Sequence, residues 1–194
     1  IDYEILLEQS FSGFGDSDLI IIIKYKTKKI VLFIEGKVKT YQTKNWSLEK
    51  QFNKYDKNGN YLGYSLNLFY QLYLKYLLFQ NKNKLIGHND SIVNCGFRDR
   101  KIGKNKIVWE ALKRVVVCDE AFYIGLVPST STKELNDLFN EKLAYNIHFL
   151  SWGDVHDYCY KNKEKLESVL DVFDFNEGQI YRNIEKDNRK QQNL

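Results

Sequence analysis

The sequence predicts a single α/β domain whose central sheet is covered on both faces, and three observations carry that expectation. Residues 18–25 (Asp-Leu-Ile-Ile-Ile-Ile-Lys-Tyr) and 30–34 (Ile-Val-Leu-Phe-Ile) are β-branched and almost continuously apolar, where a half-exposed strand would alternate. Between them lies only the polar run 26–29, so the two read as a hairpin. Further on, Leu66, Phe69, Tyr70, Tyr73 and Leu77 recur at helical spacing, giving a long helix able to cover the sheet. At 194 residues the chain is long enough for one sizeable core. The expected organisation is one domain over residues 1–182 and a polar, frayed tail over 183–194.

Taken in order, residues 5–7 read as the end of a helix that starts upstream, stopped by the turn residues 10–15. After the hairpin, residues 47–55 suit a short helix ended by the turn Asp56-Lys-Asn-Gly-Asn60. Residues 82–106 read as irregular and basic. Residues 115–118 and 121–127 read as further strand, stopped by Pro128. A capped helix is expected over 132–143, a last core strand over 146–150, and a helix from Asp154 with Tyr158 on its buried side.

Composition narrows the function classes. Cys95, Cys118 and Cys159 are odd in number and form no C-x-x-C pair, which argues against a disulfide framework and a structural zinc site. A reducing cytoplasm is the expected compartment, and no apolar run is long enough to span a bilayer, so no membrane partner is expected. The net charge of +4 is modest, so any basic surface must be local. The chain begins at Ile1 and holds no methionine; its true start is expected upstream, and spacings are taken as minimum values.

Three charged groups carry the chemistry. Asp18 opens one apolar strand, while Glu35 and Lys37 end the next, so the hairpin brings both carboxylates to one edge of the sheet. Strand side chains alternate, so Glu35 and Lys37 share a face across Gly36. Converging carboxylates repel unless a divalent cation neutralises them, and oxygen-only ligation favours magnesium, or manganese, over zinc. Such a metal would activate water against a phosphodiester, with Lys37 orienting that water or stabilising developing charge.

This pattern, Asp18 followed by Glu35-Gly-Lys37 at the end of the next apolar strand, resembles the signature of the PD-(D/E)XK nuclease superfamily over roughly residues 1–152. The resemblance implies a restriction-endonuclease-like α/β fold, a central mixed β-sheet flanked by helices. It implies Asp18, Glu35 and the Gly36 carbonyl as metal ligands, Lys37 as the catalytic lysine, and a glutamate from the preceding helix, with Glu4 preferred to Glu8. Ser17 stands where the family's name has proline. Gln51-Phe-Asn-Lys-Tyr55 matches the Gln-x-x-x-Tyr motif of exonuclease-like branches and adds Gln51 to the catalytic candidates. The implied activity is magnesium-dependent hydrolysis of DNA, of restriction, repair or defence type, with a homodimer as one way to cut two strands. The alternative is a non-catalytic member of the same fold that binds nucleic acid or protein.

The remaining features read as structural. Asp16-Ser-Asp18 spells the D-x-D of many glycosyltransferases, but too few residues precede it for a nucleotide-binding unit. Asp56–Asn60 lacks the glycine placement and terminal glutamate of a calcium loop. His88, His148 and His156 lack ligand spacing, and His148 is expected in the core. Residues 97–106 concentrate cations in a glycine-containing loop that either tracks a phosphate backbone or is simply solvated.

Overall fold

The computed structural model describes residues 1–38, 67–87, 91–94, 99–128 and 147–176. The strands are β1 (Asp2–Ser10), β2 (Asp16–Tyr25), β3 (Lys28–Gly36), β4 (Val93–Asn94), β5 (Asp99–Arg100), β6 (Glu120–Val127) and β7 (Ile147–Ser151). The helices are α1 (Leu68–Gln80), α2 (Lys82–Gly87), α3 (Lys106–Val116), α4 (Trp152–Lys161) and α5 (Lys163–Phe175). A mixed five-stranded sheet runs β1-β2-β3-β6-β7, and β4 pairs with β5 in a separate small hairpin. Strands β1, β2 and β3 form an antiparallel meander, and β3, β6 and β7 are parallel. The α/β architecture with a mixed sheet flanked by helices agrees with the expectation.

The hairpin expected at residues 18–34 forms with a two-residue loop, Tyr25 facing Lys28 and Lys26 taking the left-handed φ of 54°. One face of the sheet presents Ile20, Ile22, Val31, Phe33 and Tyr123 to Phe69, Leu72 and Leu78 of α1, and Phe33 stacks on Tyr123 at 5.9 Å. Each fully buried aliphatic or aromatic side chain of this kind contributes about 1.5–3 kcal/mol. Phe11, which caps the 3-10 turn Ser12–Phe14, and Phe14, its last residue, are completely buried and close the core at the end of the sheet where β2 begins. Helix α1 begins at Asn67, whose side chain accepts from the Tyr70 N–H.

Several expectations are corrected. Residues 5–7 are not the end of a helix but lie within β1, paired with residues 19–21 of β2. Three apolar residues in a row fit either period, and pairing with the apolar β2 decides for strand. Residues 115–116 are not strand but the last turn of α3, where Val108, Ala111, Leu112 and Val115 form a buried i, i+3, i+4, i+7 stripe. The β-branched triplet 115–117 concealed that period. Residues 82–106, read as irregular, contain α2, β4 and β5. Tyr158 is exposed, and Cys159 is the buried residue of α4. His148 lies in β7 as expected but faces outward, against Phe122, because its neighbours Ile147 and Phe149 take the core face. The helices expected over 47–55 and 132–143 lie outside the described residues, as do Cys95 and His88. Cys118 and Cys159 are both buried free thiols.

Candidate functional site

The carboxyl ends of the three parallel strands β3, β6 and β7 lie together, with Gly36 beside Leu126 and Val127 beside Ser151. That edge is where open α/β sheets place their ligands. Register then dictates what gathers there. Leu19 faces Ile34, so the next step along the hairpin sets Asp18 against the end of β3. Asp18 Oδ2 accepts a 2.7 Å hydrogen bond from the Gly36 N–H. Glu35, two residues before Lys37 on the same face, accepts from Lys37 Nζ at 3.2 Å through Oε1. Asp18, Glu35 and Lys37 therefore meet as the sequence predicts. Gly36 separates them, and a Cβ there would make ordinary contacts at 3.5 Å with Asp18 Oδ2 and 3.9 Å with Trp152.

Helix α1 supplies two further partners, Gln71 and Lys75, polar residues that interrupt its apolar run. Lys37 Nζ also donates to Gln71 Oε1 at 2.6 Å. One turn on, Lys75 is buried and donates through Nζ to the Phe14 carbonyl at 2.8 Å. Gln71 and Lys75 sit four apart on one face of a helix otherwise buried among apolar side chains, and that spacing was the available signal. Gly125 lets the helix start come this low: a Cβ on it would stand 3.1 Å from Leu68 and from the Phe149 ring. On the other side Trp152, the first residue of α4, donates through Nε1 to the Lys37 carbonyl at 2.9 Å. Lys37 is thus held by backbone and side chain alike, its own N–H donating to Leu126 O at 2.8 Å.

The electrostatics follow from burial. Glu35 is only 3% exposed, and desolvation raises its carboxyl above the ordinary range, with Asp18 adding to the rise and Lys37 and Lys75 opposing it. Desolvation lowers the Lys75 ammonium to about 8, while Glu35, Asp16 and Asp18 pull the other way. Three carboxylates and two ammonium groups therefore share one edge, and the net imbalance is negative. Among the described residues Asp18 Oδ1 and Glu35 Oε2 carry no hydrogen bond, so each carboxylate keeps one oxygen for a further partner. No cluster of three His, Cys, Asp or Glu suited to a metal occurs among the described residues. Two carboxylates still match what magnesium takes from a protein when water and substrate phosphate complete its shell.

Of the other candidates, Glu4 separates from this group. Glu4 is not on a preceding helix but on β1, opposite Ile22, four residues or about 13 Å along the strand from the level of Asp18. It is half-exposed and ion-paired with Arg114 of α3. Glu8, also on β1 rather than a helix, lies between Leu7 (facing Leu19) and Gln9 (facing Ser17), level with Asp18 at the break in the β1–β2 pairing, exposed and with a φ of 48°. Gln51 lies outside the described residues. A cavity of about 310 Å³ lined by Tyr76, Phe79, Glu120, Tyr123 and His148 contains none of the site residues. Among the described residues no helix is long and apolar enough to cross a membrane. Comparison of the chain with protein-family models, with curated proteins and with solved structures finds no match.

Proposed function

We propose that the chain is a magnesium- or manganese-dependent nuclease that hydrolyses phosphodiester bonds in DNA. The observation that carries this reading is the convergence of Asp18, Glu35 and Lys37 at the carboxyl edge of the sheet, with Lys37 Nζ fixed between Glu35 and Gln71. Asp18 and Glu35 would hold the cation through the oxygens left free, and the carbonyl of Gly36 would join them. Bound there, the cation would polarise the scissile phosphate and lower the pKa of an attacking water.

The protein's own part is positioning and charge. Lys37 has three N–H donors and spends two on Glu35 and Gln71, which leaves the third for the attacking water or a phosphate oxygen. Because both anchors lie on rigid elements, β3 and α1, the ammonium is held ready for charge that develops in the transition state. Gln71 orients Lys37 without neutralising it, since an amide oxygen accepts without carrying charge. Lys75 holds the Phe14 carbonyl, and with it the turn that leads into Asp16 and Asp18. Incubating the protein with supercoiled and linear DNA, with magnesium, manganese or chelator, tests the reading. Cation-dependent cutting supports it; a protein inert in every arm would favour a non-catalytic binding role.

A further inference from the structure

The basic loop over residues 99–106 is not free in solution but docked beside the carboxylate edge, and it is docked twice. The Gly13 N–H donates to the Lys101 carbonyl at 3.2 Å, and a Cβ on Gly13 would stand 2.7 Å from that same oxygen, so backbone meets backbone where no side chain fits. Gly103 packs as closely on Ser12, where a Cβ would stand 2.8 Å from Oγ. Ser12 and Gly13 belong to the turn that leads directly into Asp16 and Asp18. The second anchor is Arg100, whose Nη2 donates to Tyr70 Oη at 3.1 Å; Tyr70 precedes Gln71 on α1. Both elements that carry the site therefore hold this loop.

What the loop presents is positive. Lys101, Lys104 and Lys106 are exposed, and Asp99, hydrogen-bonded to Asn94, is the one acid between residues 99 and 109. Arg100 itself is half-buried and serves as the anchor, with its Nε enclosed and without an acceptor among the described residues. We propose that Lys101, Lys104 and Lys106, on the loop that Arg100 anchors, form a contact strip for the phosphate backbone of duplex DNA at the rim of the carboxylate site. This rests on the nuclease reading of that site, since one polymer then supplies both the phosphate at the centre and its neighbours on the strip. A duplex fits better than a single strand because no aromatic residue lies between Arg100 and Val108, and single-strand sites rely on stacking.

The test measures binding apart from cutting. Wild type, the triple variant Lys101→Ala/Lys104→Ala/Lys106→Ala and the control Lys24→Ala/Lys26→Ala, from the far end of the sheet, are titrated in chelator against a short labelled duplex over a salt series. Circular dichroism and melting confirm that each folds. The triple variant should bind about tenfold or more weakly at low salt, with a log–log salt slope smaller by about 2–3, roughly one per lost phosphate contact. The control should match wild type. Equal affinity and slope for wild type and the triple variant would overturn the strip, as would tighter binding of single-stranded DNA or RNA than of duplex by wild type. Cutting assays with magnesium on the same proteins keep the two ideas apart: cleavage by wild type with strip-independent binding sinks the strip alone. Strip-dependent binding without any cleavage sinks the nuclease reading instead, and the strip then stands as a DNA-binding surface only.

Discussion

Lys37 Nζ donates to Gln71 Oε1 at 2.6 Å, a contact that ties the end of β3 to the first turns of α1 across the edge of the sheet. Lys37 is only 18% exposed on its side chain, so without Gln71 it would have Glu35 as its one described acceptor. The amide therefore decides where the ammonium points.

Removing that amide should loosen the lysine without unfolding the protein. Gln71→Ala is expected to lower kcat by about 10–100-fold, the usual cost of losing a group that orients a catalytic one, with KM changed little. Lys37→Ala should cost more, about 10²–10³-fold. Steady-state cleavage by the two single variants and the double variant checks this: if Gln71 acts through Lys37, the double variant is no slower than Lys37→Ala alone.

The Asp18–Glu35 pair makes a prediction about the cation. Magnesium or manganese should raise the Tm of wild type by an amount that grows with concentration, since it binds only the folded pair. Glu35→Gln should blunt that rise. Glu35 binds its proton more tightly in the folded state than in the unfolded chain, so its contribution is greatest below the ordinary carboxylate pKa and is lost as pH rises through the folded value. At neutral pH the buried charge is a cost, and metal-free Glu35→Gln should be at least as stable as wild type. Equal cation shifts in both proteins would move the binding site elsewhere.

How far the sequence revealed this site can be judged from particular residues. Asp18, Glu35 and Lys37 were legible because hairpin register and strand alternation fix their placement from local pattern alone. The partners on α1 were not, because nothing local to β3 says which turn of a distant helix lands on it. In the sequence Gln71 and Lys75 simply interrupt an apolar helical run. Glu4 was misassigned through the same gap: three apolar residues do not distinguish helix from edge strand, and the strand sets Glu4 at the wrong level. The α3 helix was hidden by its own β-branched end, where packing of Val115 on the core overrides propensity.

Lys75 predicts a pH signature in stability. Its folded pKa of about 8 lies below the unfolded value of 10.5, so folding is penalised while both states are charged, and the penalty lifts as pH rises from about 8 towards 10.5. Relative to Lys75→Met, wild type should gain on the order of 3 kcal/mol across that window. Denaturant melts of both proteins at several pH values read this directly. Parallel curves would mean that the ammonium is better solvated than its burial indicates.

Gly15 predicts a backbone effect. Its φ of 74° and ψ of 176° fall in a region essentially reserved for glycine, and its carbonyl accepts from the Phe11 N–H at 3.1 Å. Gly15→Ala should cost about 1–3 kcal/mol and disturb Asp16 and Asp18, so activity should fall along with Tm. An unchanged Tm would show that the turn adapts at no cost.

The central claim is that Asp18 and Glu35 make this sheet edge a cation-dependent phosphodiesterase centre, and cleavage of supercoiled DNA by wild type and Asp18→Asn tests it most directly. Asparagine keeps an oxygen for the Gly36 N–H and removes only the charge, so the fold should survive. Wild type should cut with magnesium or manganese and stop in chelator, while Asp18→Asn should be inert in every condition at an unchanged Tm without metal. Cutting that persists in chelator, or that survives in Asp18→Asn at the wild-type rate, would contradict the account.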